Sequence, residues 1–209
     1  VFGFCPDCGV HNSLQILKTN LQLVEKMLAV AEMQEPTVAQ SLIENSLEDC
    51  VSAFDGFGRE ICRVHANVAT DLEKVDKISF QNLEGAKQNM STLFKLDFAA
   101  GLTDDEWKAA VRAFQKRHVL SHKMGVVDAE YLHKSGDTRA IVGRKVSVDA
   151  DEVRALSKIV GKLGRYLSDV MGRIGTCLEP WTPFESTFVT GLYELPGPCA
   201  RGISMHFEG

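Results

Sequence analysis

No stretch of this 209-residue chain approaches the roughly 20 consecutive apolar residues of a bilayer-crossing helix, so no membrane span is expected. The start also lacks the basic-then-apolar layout of a secretory signal, which points to a cytoplasmic protein. Excess positive charge is missing too. A formal net charge of −5 argues against a protein that coats nucleic acid non-specifically, because such binding rests on a broad surplus of Lys and Arg. It leaves room for a local basic site. Cysteine is sparse and scattered, at Cys5, Cys8, Cys50, Cys62, Cys177 and Cys199, which favours free thiols or metal ligands over a disulfide framework.

What is present is helical periodicity. The chain is 44% hydrophobic and 24% charged, enough for an ordinary globular core. Over residues 13–35, Leu14, Leu17, Leu21, Val24, Leu28 and Ala31 recur at three- and four-residue steps and predict one buried helical stripe. Pro36 then suits the first turn of a second helix reaching Val64, with Gly56 and Gly58 expected to bend or loosen it. Residues 82–96 read as a shorter helix. Thr103 and Glu106 have capping-box spacing and open a long helix to about Met124, with Leu102 and Trp107 placed to staple the cap. Residues 135–148, with Gly, Asp and short β-prone runs, fit a loop or small hairpin. Asp149 with Glu152 opens a final helix to about Ile174.

Beyond Glu179 the character changes, with Pro180, Pro183, Pro196 and Pro198 among glycines and aromatics. The expected organisation is an N-terminal segment over residues 1–12, a helical domain over 13–178 and an irregular tail or linker over 179–209. With helical period nearly throughout and short connections, the fold class is all-α, a bundle of four or five helices.

Chemistry concentrates in residues 117–122, Arg-His-Val-Leu-Ser-His. On the helix begun at Thr103, Trp107, Val111, Phe114, His118 and His122 follow at three- and four-residue steps, so the histidines are expected to extend the stripe that packs inward and to form a polar pocket at its end. Lys108, Arg112 and Lys116, with Lys123 further along, form a neighbouring basic row that would meet an approaching phosphate. RNA carries its own nucleophile in the ribose 2′-hydroxyl. Cleavage therefore needs a base, an acid and cationic stabilisation of the phosphate, which histidine and arginine supply without a metal.

Arg117-His118-Val119-Leu120-Ser121-His122, continued through Gly125, Asp128 and Tyr131, resembles the HEPN superfamily of RNases and related toxins. The signature there is an arginine, often followed by a polar residue, and a histidine after four to six intervening positions. Arg112 to His118 satisfies the spacing as well; the polar second residue and the continuation favour the Arg117 frame. The resemblance covers roughly residues 13–175. It implies a metal-independent endoribonuclease, a toxin or phage-defence effector held in check by an inhibitory partner protein, whose homodimer joins two motifs into one composite site on RNA. Arg117 would contact phosphate, His122 would transfer a proton and His118 would assist. Arg117 and His122 stand about 140° apart around one helix, which a facing helix would complement. Some members of the family have lost cleavage and act as binding or partner-recognition modules.

A second motif sits at the start. Phe4-Cys5-Pro6-Asp7-Cys8-Gly9 has the C-P-x-C-G form of a zinc knuckle, whose tight turn brings two thiolates to one structural Zn2+. Two further ligands are required. Cys62 and His65, three apart at the end of the second helix, form one candidate half-site. His11 is a nearer candidate for one ligand, and residues upstream of Val1 are a third source. The acids Glu44, Glu48, Asp49 and Asp55 could orient a catalytic histidine but read mainly as a solvated face, as does the basic row Arg154, Lys158, Lys162 and Arg165.

Overall fold

The computed structural model describes residues 2–4 and 11–176. The candidate knuckle cysteines Cys5 and Cys8, as well as Cys177, Cys199 and the tail, lie outside the described residues. The chain forms α1 (Ser13–Ala31), α2 (Pro36–Val64), α3 (Leu72–Val75), α4 (Leu83–Phe94), α5 (Asp104–His122), α6 (Ala129–Ser135) and α7 (Ala150–Thr176), with 3-10 turns at Ala66–Val68 and Phe98–Gly101. The architecture is all-α, and no helix among the described residues is long and apolar enough to cross a membrane.

Local chemistry explains the helix ends. Glu35 caps α2, its carboxylate accepting the backbone N–H groups of Thr37 and Val38, while Pro36 occupies the first turn, where its missing N–H costs nothing. The Thr103 hydroxyl accepts the Glu106 N–H and the Glu106 carboxylate accepts the Thr103 N–H, the reciprocal capping box the spacing predicts. Asp149 and Glu152 exchange the same pair of bonds at the start of α7.

The apolar stripe of α1, including Leu17, Val24 and Leu28, is buried, and α1 packs on α2 and α7. Phe54, Phe57, Phe80, Phe98 and Phe114 gather at the centre, each essentially without exposure. Burying each is worth about 1.5–3 kcal/mol. Phe54 on α2 meets Phe114 on α5 edge to face, with ring centroids 6.4 Å apart. That contact fixes α5 against α2 and so sets the register between Arg117 and the acids of α2.

Helix α2 does not break at Gly56 or Gly58; both lie inside the continuous helix. Gly58 serves close approach instead. A Cβ there would stand 2.5 Å from the Phe80 ring. Nearby, Asp55 is buried, contrary to the solvated face expected for the acids of this helix. Its Oδ1 accepts the Phe80 N–H at 2.6 Å and the Ser79 hydroxyl at 3.1 Å, tying the segment before α4 onto α2.

Residues 135–148 form no strand ladder among the described residues. A single antiparallel bridge joins Val126 to Lys145, and Val127 donates to the Arg144 carbonyl. The short α6 is too brief for an apolar period to mark it: Asp128 caps it through the Tyr131 N–H, and Gly136, with φ +60°, ends it. Val119, Val127 and Tyr131 make a small second core between α5, α6 and this segment.

Candidate active site on helix α5

The first half of α5 sends Ala110, Val111 and Phe114 into the main core. In its second half the inward face is set by the second core, which takes Val119. The buried positions there are therefore Lys116, Arg117 and Val119, whereas His118 and His122 are exposed. This corrects the expectation that the two histidines continue the inward stripe: that stripe ends at Phe114. The pocket of imidazoles at the end of the core becomes a surface pair, with ring centroids 4.9 Å apart and planes inclined by 54°.

Arg117 is 4% exposed. Its Nε lies 3.5 Å from Glu48 Oε2, close enough for an ion pair, yet Nε and Nη2 have no hydrogen-bond partner. Glu48 is held from both sides. Oε2 accepts the Ser121 hydroxyl at 2.8 Å and Oε1 accepts the Ser52 hydroxyl at 3.2 Å. Ser121 lies four residues after Arg117 and so shares its side of the helix. The structure thus brings Glu48, Arg117 and Ser121 together, with His118 and His122 on the neighbouring outer surface of the same helix turns.

Electrostatics bias the histidines. The proton affinity of His118 is lowered, first by desolvation against the helix surface and then by the neighbouring His122, Lys123 and Arg117 charges. Near neutral pH, His118 is thereby favoured as a neutral proton acceptor. The Arg117 guanidinium on the same helix turns keeps two donors without a hydrogen-bond partner, both buried.

Two members of the basic row expected to greet a phosphate, Lys116 and Lys123, are committed elsewhere. The Lys116 ammonium donates to both Glu152 oxygens at 2.7 Å and to the Ser147 carbonyl at 2.6 Å, which uses all three of its protons. Lys123 pairs with Asp128 and Glu130, and the carboxyl of Glu130 is held down to about 2 by Lys123 and then Lys134. On α7, Arg154 pairs with Glu32, Glu25 and Asp151, and Lys162 with Glu106.

At the proposed metal half-site, Cys62 is fully buried, with Sγ 3.6 Å from Met90 Sδ, and burial pushes its thiol up to about 12. His65 Nδ1 lies 3.0 Å from the Ile61 carbonyl oxygen. A zinc using Cys62 would require this thiol to turn out of the core and ionise. His11 is engaged with Glu60, its Nε2 3.4 Å from Oε1. Among the described residues no three His, Cys, Asp or Glu side chains converge to hold a metal ion.

Two contacts at this site are not marked by the apolar sequence pattern: that of Ser121, inside the Arg117–His122 segment, and the pairing of Glu48 with Arg117. The four-residue step from Arg117 to Ser121 was the available signal for the first. No protein-family model, curated protein or solved structure matches this chain.

Proposed function

We propose that the protein is a metal-independent endoribonuclease of the HEPN type, working as a homodimer that joins two copies of the Arg117–His122 motif on RNA. The observation that carries this reading is the buried Arg117 guanidinium, with two nitrogens unpartnered, on the same turns of α5 as the exposed His118 and His122 pair. In this scheme the 2′-hydroxyl oxygen attacks the adjacent phosphorus and the bond to the 5′-oxygen of the next nucleotide breaks. A cyclic 2′,3′-phosphate and a free 5′-hydroxyl result. Arg117 neutralises the phosphate, His122 transfers a proton, and His118, biased toward its neutral form, assists as acceptor. Glu48 and Ser121 hold the motif from behind. The biological setting that fits is a toxin or defence effector with an inhibitory protein partner. A structural zinc on Cys5 and Cys8 would fasten the start of the chain, and elemental analysis with Cys5→Ser as control measures it.

The depth of Arg117 favours a second reading, a non-catalytic module that binds RNA or nucleotide. One assay separates the two. RNA cleavage in the presence of EDTA is measured for the wild type and for His122→Ala, with dimerisation followed by light scattering. Cleavage by the wild-type dimer that is lost in His122→Ala supports the ribonuclease. Binding without cleavage by a well-folded dimer selects the second reading.

A further inference from the structure

A cavity of about 210 Å3 lies between α5 and α7, on the Lys116 side of α5. Its walls are mostly aliphatic and include Leu47, Ala113, Val148, Leu156 and Ile159. Four charged side chains share the lining: Arg112, Lys116, Arg139 and Glu152. The single carboxylate is already occupied, since both Glu152 oxygens accept from Lys116 and Oε2 also accepts the Asp149 N–H. Arg139 approaches Glu152 only to 3.6 Å, and its side chain is 75% exposed. Asp137, in the adjoining cleft, is engaged by the Tyr131 hydroxyl and the Arg139 N–H.

The Arg112 charge, with that of Lys116, acts on Asp137 in the adjoining cleft, but no hydrogen bond saturates its guanidinium at Nε, which is buried. A buried guanidinium nitrogen with a free donor beside an apolar cavity matches an anion bearing an apolar body. The volume sets the size. A cavity of about 150 Å3 holds benzene and drug-sized sites begin near 300 Å3, so this one suits a ligand on the order of ten heavy atoms. A nucleotide is too large and too polar for such walls.

We propose that this cavity binds a small aliphatic carboxylate, its chain lying among Leu47, Val148, Leu156 and Ile159 and its carboxylate on the Arg112 guanidinium. Planar carboxylate and guanidinium match as a fork, which a neutral head group does not reproduce. The inference is independent of the ribonuclease reading and is tested without RNA.

The probe is octanoate, with octan-1-ol as its uncharged counterpart and adenosine monophosphate as a polar anion, each titrated calorimetrically into the full chain and followed by thermal melting. Octanoate is expected to bind and to raise the melting temperature with concentration, octan-1-ol to bind more weakly and the nucleotide not at all. Arg112→Met keeps the length and removes the charge; it should weaken octanoate roughly ten- to a hundredfold, as loss of a charged hydrogen bond does. Ala113→Leu fills the same cavity without altering charge and should abolish binding by itself. Equal octanoate affinity in the wild type and Arg112→Met, unchanged binding in Ala113→Leu, no binding up to about 10 mM, or preference for the nucleotide would each overturn the proposal.

Discussion

Lys116 and Arg117 are neighbours on α5, both buried, and they lead opposite lives. The Lys116 ammonium is saturated by Glu152 and the Ser147 carbonyl, so it fastens α5 to the start of α7. Arg117 sits as deep, faces Glu48 at the limit of an ion pair and leaves two nitrogens unbonded. Burial of a cation is thus fully compensated by hydrogen bonds on one side of the helix and only partly on the other. A buried charge with every proton used reads as a fastening; one with donors to spare reads as a site.

The contrast can be broken by substitution. On the proposed ribonuclease reading, removing the Arg117 charge by Arg117→Met should lower RNA cleavage by about 100- to 1000-fold, as loss of one transition-state donor does, while the fold survives. An unfolded variant, or unaltered cleavage, would put Arg117 in the same class as Lys116. Lys116→Met should instead cost about 2–4 kcal/mol in urea unfolding, somewhat below a fully buried pair because Glu152 retains 28% exposure. A loss under about 1 kcal/mol there would erase the distinction from the structural side.

Smaller effects sharpen it. Glu48→Gln keeps acceptors for Ser52 and Ser121 but takes the counter-ion from a buried guanidinium, so its cost is expected at about 1–2 kcal/mol, below that of Lys116→Met because the pair is long and Glu48 is 43% exposed. The smallest effect is with pH. His118 binds its proton less readily in the folded chain than the ordinary 6.5. Below that value the unfolded chain takes up more protons, so the His118 contribution is complete above about 6.5 and is lost as pH falls through the lower folded value. Melting temperatures compared near pH 7.5 and pH 5.5 should fall less in His118→Gln than in the wild type. An equal fall in both would remove His118 as the source.

Much of this fold was legible because it is local. The stripe of α1, Pro36 at the head of α2, the Thr103–Glu106 box and the Asp149–Glu152 pair are all written within a few residues, and each marks an element that forms. Helices α3 and α6 span only Leu72–Val75 and Ala129–Ser135, too short for periodicity to register, although Asp71 and Asp128 are legible caps in retrospect. The candidate segment 117–122 stood out in the sequence, but the orientation of its side chains and the contacts of Ser121 and Glu48 did not. Whether His118 or Arg117 faces inward is decided by Val127 and Tyr131, which pack on Val119 from the segment after α5. The helical stripe could not foresee that second core. Nor does sequence say which acid will face a buried charge: the partner of Arg117 is Glu48, 69 positions away.

The meeting of Gly58 with the Phe80 ring has a consequence for how this chain tolerates change. In a saturation library scored for soluble abundance, position 58 should appear nearly as intolerant as Phe54, although glycine itself buries no side chain. Positions 118 and 122, exposed on α5, should pass that screen with most residues. Any intolerance they show under selection for activity would then belong to function alone.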